Sequence, residues 1–98
     1  MKRTELRKLI IRVAAMICEK ENTRIVDPRR ISYLLSTIGL DVRTCVIANI
    51  LKKYGAEKVG EMYKVDMDKV RRIAWGGRER IPITLLSKEL RRIYEEIQ

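Results

Sequence analysis

The sequence of 98 residues contains no histidine and no phenylalanine, and it has only two cysteines. Without histidine, a catalytic triad, a histidine general base and a histidine-ligated metal site are excluded. Cys18 and Cys45 form neither a Cys-x-x-Cys metal motif nor a disulfide framework, so we interpret both as small apolar filler. The glycine motifs of phosphate-binding loops and nucleophile elbows are also absent. These absences argue against an enzyme, and we expect no cofactor and no metal.

Long apolar runs are missing as well. The longest uncharged stretches, such as 13–18 and 31–40, fall far below the roughly 18 to 20 residues that a membrane span needs. The apolar stretch after the basic first residues is interrupted by Arg12 and Glu19, and no small-residue cleavage site follows it. We therefore expect neither a membrane segment nor a secretory signal, and a cytoplasmic location.

The abundant feature is positive charge. The chain carries 22 lysines and arginines against 13 acidic residues, for a net charge of +9, and 46% of its residues are hydrophobic. These values describe one small basic domain with enough apolar material for a core. The excess of basic over acidic residues is greatest in segment 22–54, which has six basic and two acidic residues. Such an excess favours a polyanionic partner such as nucleic acid. Many charges and only three amides are typical of hyperthermophile proteins.

Apolar residues that recur every three or four positions predict helices along most of the chain. The first spans about 5–21. The second starts at Asp27-Pro28, a capping carboxylate followed by a proline at the first helical position, and it ends before Gly39. Asp41 is the predicted cap of a third helix over 42–54.

After Gly55 the pattern changes to short strands. Residues 57–59 and 62–65 predict a hairpin around the turn Gly60-Glu61, with Val59, Tyr63 and Val65 pointing inward. A fourth short helix follows, capped by Asp66. The predicted fold is therefore mainly α with a small β-hairpin, divided into a domain over 1–75, a connector over 76–82 and a C-terminal amphipathic helix over 83–98.

The last helix has apolar residues at steps of three and four, which is the spacing of a coiled-coil seam. The seam lasts only about two heptads, so two alternatives stay open: packing onto the first helix of the same chain, or an interface with a second copy or another protein. Its residues are Ile83, Leu86, Leu90, Ile93 and Ile97.

Two helices joined by a three-residue turn that contains glycine form a helix-turn-helix arrangement. Here that stretch runs from Ile31 to Ala48 with Gly39-Leu40-Asp41 between the helices. Together with Lys52-Lys53-Tyr54-Gly55-Ala56 and Met62-Tyr63-Lys64-Val65-Asp66 it resembles the winged-helix DNA-binding superfamily, particularly its small archaeal members.

The resemblance implies that helix 42–54 lies in the major groove of duplex DNA and that Gly60-Glu61 is the tip of the wing. It implies base-edge positions for Arg43, Thr44, Ala48 and Asn49, and phosphate contacts for Lys52, Lys53, Lys58 and Lys64. Arg29 and Arg30 are further phosphate candidates, because they begin the second helix, where unpaired N–H groups also attract anions. The implied function is a transcription regulator or chromatin-type protein.

A second hypothesis belongs to a different class. The hairpin turn carries Glu61 where a wing usually has a basic residue, and Cys45 and Ala48 lie at the centre of the exposed arc of the third helix. This hypothesis predicts that the chain is an accessory subunit, which uses its winged helix as a protein-interaction module in a complex that handles DNA or RNA. Cys45, Ala48 and the apolar seam would meet the partner.

Overall fold

The computed structural model describes residues 2–97. Met1 and Gln98, at the outer ends of the predicted segments 1–75 and 83–98, lie outside the described residues. The chain is mainly α-helical with a small antiparallel sheet, as predicted. Its elements in order are α1 (Arg3–Glu21), β1 (Ile25–Val26), α2 (Pro28–Ser36), α3 (Thr44–Lys53), β2 (Glu57–Val59), β3 (Met62–Lys64), α4 (Met67–Trp75), a 3₁₀ turn (Ile83–Leu85) and α5 (Lys88–Glu96).

Helix α1 is the centre of the molecule. Between Ile10 and Cys18 every residue except Arg12 is buried. A helix that is apolar on all sides is one that other elements surround, and α1 packs against α2, α3, α4 and α5. Across residues 2–97, no helix combines the length and the apolar character needed to cross a bilayer.

The predicted start of α2 is confirmed. A carboxylate oxygen of Asp27 accepts a hydrogen bond from the backbone N–H of Arg29 at 2.9 Å, and Pro28 occupies the first turn. Gly39, in the turn that follows, has φ +84°, a left-handed conformation that glycine adopts without strain.

Helix α3 begins two residues later than predicted, and Asp41 does not cap it. Its N-cap residue is Arg43, and the first helical residue is Thr44. Val42 is buried ahead of the helix, and its carbonyl oxygen accepts a hydrogen bond of 2.7 Å from the hydroxyl of Ser32 on α2. This contact between elements holds the turn extended up to Arg43 and delays the helix.

The sheet has the strand order β1–β3–β2, and both pairs are antiparallel. Its third strand, β1, was not predicted. Tyr63 and Val65 are buried as expected, but the prediction that Val59 points inward is wrong, since 48% of its surface is exposed. Val59 pairs with Met62, and residues adjacent on a strand alternate between faces, so both lie on the sheet face opposite Tyr63.

The last helix is shorter than predicted. A 3₁₀ turn replaces its first residues, and α5 begins only at Lys88, because the hydroxyl oxygen of Ser87 accepts a hydrogen bond from the N–H of Leu90 at 3.2 Å. Of the two alternatives left open for the apolar seam, the structure shows packing within the same chain, with α5 against α1. Ile83 is 49% exposed, whereas the other four seam residues are buried in the core of their own chain and have no surface to offer a partner: Leu86, Leu90, Ile93 and Ile97.

Two polar contacts join the end of α1 to the C-terminal segment. The ammonium group of Lys20 donates a hydrogen bond of 2.7 Å to the carbonyl oxygen of Tyr94 and lies 4.3 Å from the centroid of its ring. The carboxylate of Glu19 accepts hydrogen bonds of 3.0 and 3.2 Å from the N–H of Ile81. The connector and α5 are therefore each attached to α1 by hydrogen bonds as well as by apolar packing.

Candidate nucleic-acid interface

Helix α3 presents one polar face to solvent. It buries Ile47, Ile50 and Leu51, and none of its ten residues is acidic. The opposite face carries hydroxyl, thiol, amide and ammonium groups. The exposed residues of the helix are Thr44, Cys45, Val46, Asn49, Lys52 and Lys53, with Arg43 exposed just before the helix and Ala48 half-buried along its side.

A cleft of about 320 Å³ separates α3 from the hairpin. Because Lys58 pairs with Tyr63, both side chains lie on the same face of the sheet and line this cleft. The ammonium group of Lys52 lies 5.8 Å from the centroid of the Tyr63 ring across the cleft. The hairpin therefore lies beside the exposed face of α3, with a cation–π contact between them. The lining is completed by Asp27, Pro28, Arg29, Thr44, Cys45, Ala48 and Glu61.

Arg29 is engaged by two carboxylates. Its guanidinium donates hydrogen bonds to Asp27 at 2.9 to 3.2 Å and lies 3.5 Å from the carboxylate of Glu61. The side-chain hydrogen bond from Arg29 is the main reason why the pKa of Asp27 lies below its usual value, and the same bond raises the pKa of Arg29. Two cations, Arg29 and Lys58, thus face two carboxylates in the cleft.

Arg30 is also paired. Its guanidinium donates to the carboxylate of Glu21 at the end of α1. That hydrogen bond is the main cause of the lowered pKa of Glu21 and of the raised pKa of Arg30. Arg29 and Arg30 remain predicted phosphate contacts, but a phosphate would have to compete with a carboxylate for each.

Lys64 lies apart from the predicted site. It follows Tyr63 on β3, so its side chain points to the opposite face of the sheet. There it lines a different cleft, together with Arg24 and Glu57. Of the other predicted contacts, Thr44, Ala48 and Lys58 line the cleft beside α3, and Lys52 contacts the Tyr63 ring. Arg43, Asn49 and Lys53 are exposed on α3 or just before it.

The two cysteines occupy different environments. Cys18 is buried in the core, and burial raises the pKa of its thiol to about 12. Cys45 is exposed on α3, so its interpretation as apolar filler is wrong. The periodicity of the third helix predicts this exposure correctly, since it places Cys45 on the exposed arc. Helical periodicity assigns a residue to a face of the helix, which composition alone does not.

Four cations of this interface have no carboxylate partner among residues 2–97. Within residues 2–97, the ion pairs involve only Arg29 and Arg30 as cations, so Arg43, Lys52, Lys53 and Lys58 remain unpaired there. No family model, curated protein or solved structure matches the chain. The chemistry of the interface is therefore inferred from its own geometry: a helix face with hydrogen-bonding groups near its start and unpaired cations near its end.

Proposed function

We propose that the protein binds double-stranded DNA through α3 and acts as a transcription regulator or chromatin-type protein in the cytoplasm. The observation that carries the proposal is the exposed face of α3, which has unpaired cations and no acidic residue. The major groove of B-DNA admits an α-helix. The resemblance of the helix-turn-helix stretch to the winged-helix superfamily supports the same function.

The arrangement divides the contacts by type. Thr44 and Asn49 have groups that hydrogen-bond base edges, and Arg43 carries the bidentate donors that suit guanine. Lys52, Lys53 and Lys58 have flexible ammonium groups that suit phosphates. A dimer through α5 is not part of the proposal, because the seam of that helix is in the core.

A salt titration tests the proposal. Each phosphate contact contributes about −0.9 to the slope of log K against log salt concentration. We expect the double variant Lys52→Gln, Lys53→Gln to bind a fluorescent duplex more weakly, with a slope less negative by about 1.8. Fluorescence anisotropy at several salt concentrations measures both quantities.

The matched control removes two exposed cations from α5, through Lys88→Gln and Arg92→Gln. The net charge changes equally in the two proteins, but α5 contributes nothing to the α3 cleft. Equal slopes and affinities for the two double variants would overturn the proposal. Selection of bound sequences from a random duplex pool then distinguishes a transcription regulator from a chromatin-type protein. A preferred sequence indicates a regulator, and the variants Arg43→Ala and Asn49→Ala should weaken that preference. Binding without a preferred sequence indicates a chromatin-type protein.

The second candidate is an accessory subunit that contacts another protein. The outer face of the sheet favours it, because Ile25, Val59 and Met62 are between 40% and 48% exposed there. Ile25 and Met62 line the same shallow cleft, so the exposed apolar surface is contiguous at that point. Absence of duplex binding at low salt would favour this candidate over the first.

A further inference from the structure

A second cleft, of about 410 Å³, lies between α1, α4 and the segment that leads to α5. We call it the α1–α4 cleft. Its lining includes four cationic side chains and no carboxylate, and it shares no residue with the cleft beside α3. Its cations are Lys8, Arg12, Arg72 and Arg78.

The four cations line the same cleft, and none of them has an ion-pair partner among residues 2–97. Lys8 and Arg12 are one helical turn apart on α1, a spacing at which like charges destabilise a helix. In the described part of the chain, 2–97, none of the four forms an ion pair. A bound anion would remove this repulsion, so the cleft has the electrostatic character of an anion site.

Arg12 is fixed in place before any ligand arrives. Its Nε donates a hydrogen bond of 3.1 Å to the carbonyl oxygen of Ala74 at the end of α4. Its guanidinium carbon lies 5.6 Å from the centroid of the Trp75 ring. One nitrogen is thus engaged by the protein and the remaining donors of the guanidinium fork are left for a ligand, which lowers the entropy cost of binding.

The rest of the lining is apolar and incompletely covered. Leu85, in the 3₁₀ turn, is 67% exposed. Trp75 is buried, and its indole N–H has no hydrogen-bond partner among the described residues. A large exposed leucine beside four cations indicates a ligand with an apolar part as well as negative charge.

We propose that the α1–α4 cleft binds a nucleoside polyphosphate, with its phosphates on the four cations and its base against Leu85. The volume lies within the range of ordinary small-ligand sites. A duplex backbone supplies phosphates but no apolar group to cover Leu85, so the small ligand fits better. This inference goes beyond the proposed function and does not depend on it.

Trp75 is the only tryptophan of the chain and lines this cleft, so tryptophan emission excited at about 295 nm, where the four tyrosines absorb little, reports on it. We expect a saturable fluorescence change when the full chain is titrated with ATP, and binding at least tenfold weaker with adenosine, which has no phosphate. Isothermal titration calorimetry gives the same affinities without relying on the indole. No saturable binding of ATP at millimolar concentration, or equal affinity for adenosine, would overturn the proposal.

Variants at the rim locate the site. Arg72 and Arg78 are polar and not buried, so Arg72→Gln with Arg78→Gln leaves the core intact, and we expect at least tenfold weaker ATP binding. The control is Arg91→Gln with Arg92→Gln, which removes the same charge from α5 outside the cleft. Equal ATP affinity in the two double variants would overturn the proposal, and so would displacement of ATP by a duplex, because it would assign the cleft to the nucleic-acid backbone.

Discussion

The Nη2 atom of Arg29 lies 3.5 Å from a carboxylate oxygen of Glu61, and this contact joins the start of α2 to the tip of the β2–β3 hairpin. The same guanidinium nitrogen lies 2.9 Å from Asp27. A hairpin tip that would be free to enter a DNA groove is thus attached to the protein through an acidic side chain. The negative charge of Glu61 repels a phosphate backbone. Its contact with Arg29 also offsets a positive charge that would otherwise attract the backbone.

Glu61→Gln should therefore strengthen duplex binding several-fold. The substitution removes a negative charge from the hairpin tip and leaves Asp27 as the one carboxylate that still pairs with Arg29, so the salt slope should become more negative, by up to about 0.9. The free energy of unfolding should change by less than about 1 kcal/mol, because both side chains are largely exposed. Anisotropy titrations and chemical denaturation measure the two effects.

Glu57→Gln is the matched control for this change. It lies on the same hairpin, but it pairs with Lys64 on the opposite face of the sheet. An equal gain in affinity from Glu57→Gln would show that only net charge matters and would refute the role assigned to the Arg29–Glu61 contact.

The stability of the protein should fall in acid partly through Asp27. Its pKa is lowered in the folded state by the hydrogen bond from Arg29, so its contribution is present above the unfolded pKa, about 3.9, and is lost as the pH falls through the folded value. Asp27→Asn keeps a capping oxygen but has no charge to titrate. We expect the thermal midpoint of this variant to fall less than that of the wild type from about pH 6 to about pH 2.

Asp41→Asn supplies the comparison for the acid experiment. Asp41 is exposed, and it neither caps α3 nor forms an ion pair within residues 2–97. If Asp41→Asn flattens the pH profile as Asp27→Asn does, the assignment of the effect to the contact of Asp27 with Arg29 is contradicted.

The two thiols should react at very different rates. Cys45 is exposed, whereas Cys18 is buried and its thiol pKa is raised to about 12, so little of the reactive thiolate forms there. We expect DTNB at about pH 8 to titrate one thiol in the native protein and both in denaturant. Cys45→Ser should leave no fast-reacting thiol, and fast reaction of both thiols in the wild type would contradict the structure.

A bulky maleimide on Cys45 should abolish duplex binding. The thiol lies on the exposed face of α3, where a large group would keep the helix out of the groove. Cys45→Ser treated with the same reagent should bind as the untreated wild type does. Full binding by the modified wild-type protein would place the interface elsewhere.

The burial of the α5 seam predicts a contrast in stability. Ile93 has no exposed surface, so Ile93→Ala should lower the free energy of unfolding by about 2 to 5 kcal/mol. Ile83 is half-exposed, and Ile83→Ala should change the free energy of unfolding by less than about 1 kcal/mol. Chemical denaturation of both variants checks this, and equal effects would contradict the packing.

The features that the sequence predicts well are those determined by neighbouring residues. The oxygen of Asp27 and the ring of Pro28 act on N–H groups within one turn, and Asp66 likewise accepts hydrogen bonds from the N–H groups of Asp68 and Lys69 at the start of α4. Gly39 has the positive φ expected after a helix. Each of these signals depends on interactions over a few residues, so one short stretch of sequence suffices to recognise it.

The features that the sequence misses depend on distant partners. Strand β1 has two residues, too few for a detectable alternation, and it forms because β3 pairs with it. The late start of α3 follows from the contact of Ser32 with Val42, and neither residue carries a turn signal. In each case a tertiary contact overrides the local preference.

The candidate site divides in the same way. The sign of its charge and the exposed face of α3 follow from composition and helical period. Which cations stay unpaired follows only in part, because Asp27 is a neighbour of Arg29 in the sequence. The two glutamates come from elsewhere in the chain: Glu61 reaches Arg29 from the hairpin, and Glu21 reaches Arg30 from α1. Only the folded chain brings these carboxylates next to the arginines.

The attachment of α1 to segments far along the chain has a consequence for how the protein is made. Arg12 and Glu19 find their backbone partners 62 residues later, and Lys20 finds its partner 74 residues later. The surface of α1 that faces α4 and α5 stays uncovered until those two helices have been translated, although α2 and α3 can pack on it sooner. Apolar surface that is exposed during folding favours aggregation, so the last translated helices complete the protection of the first.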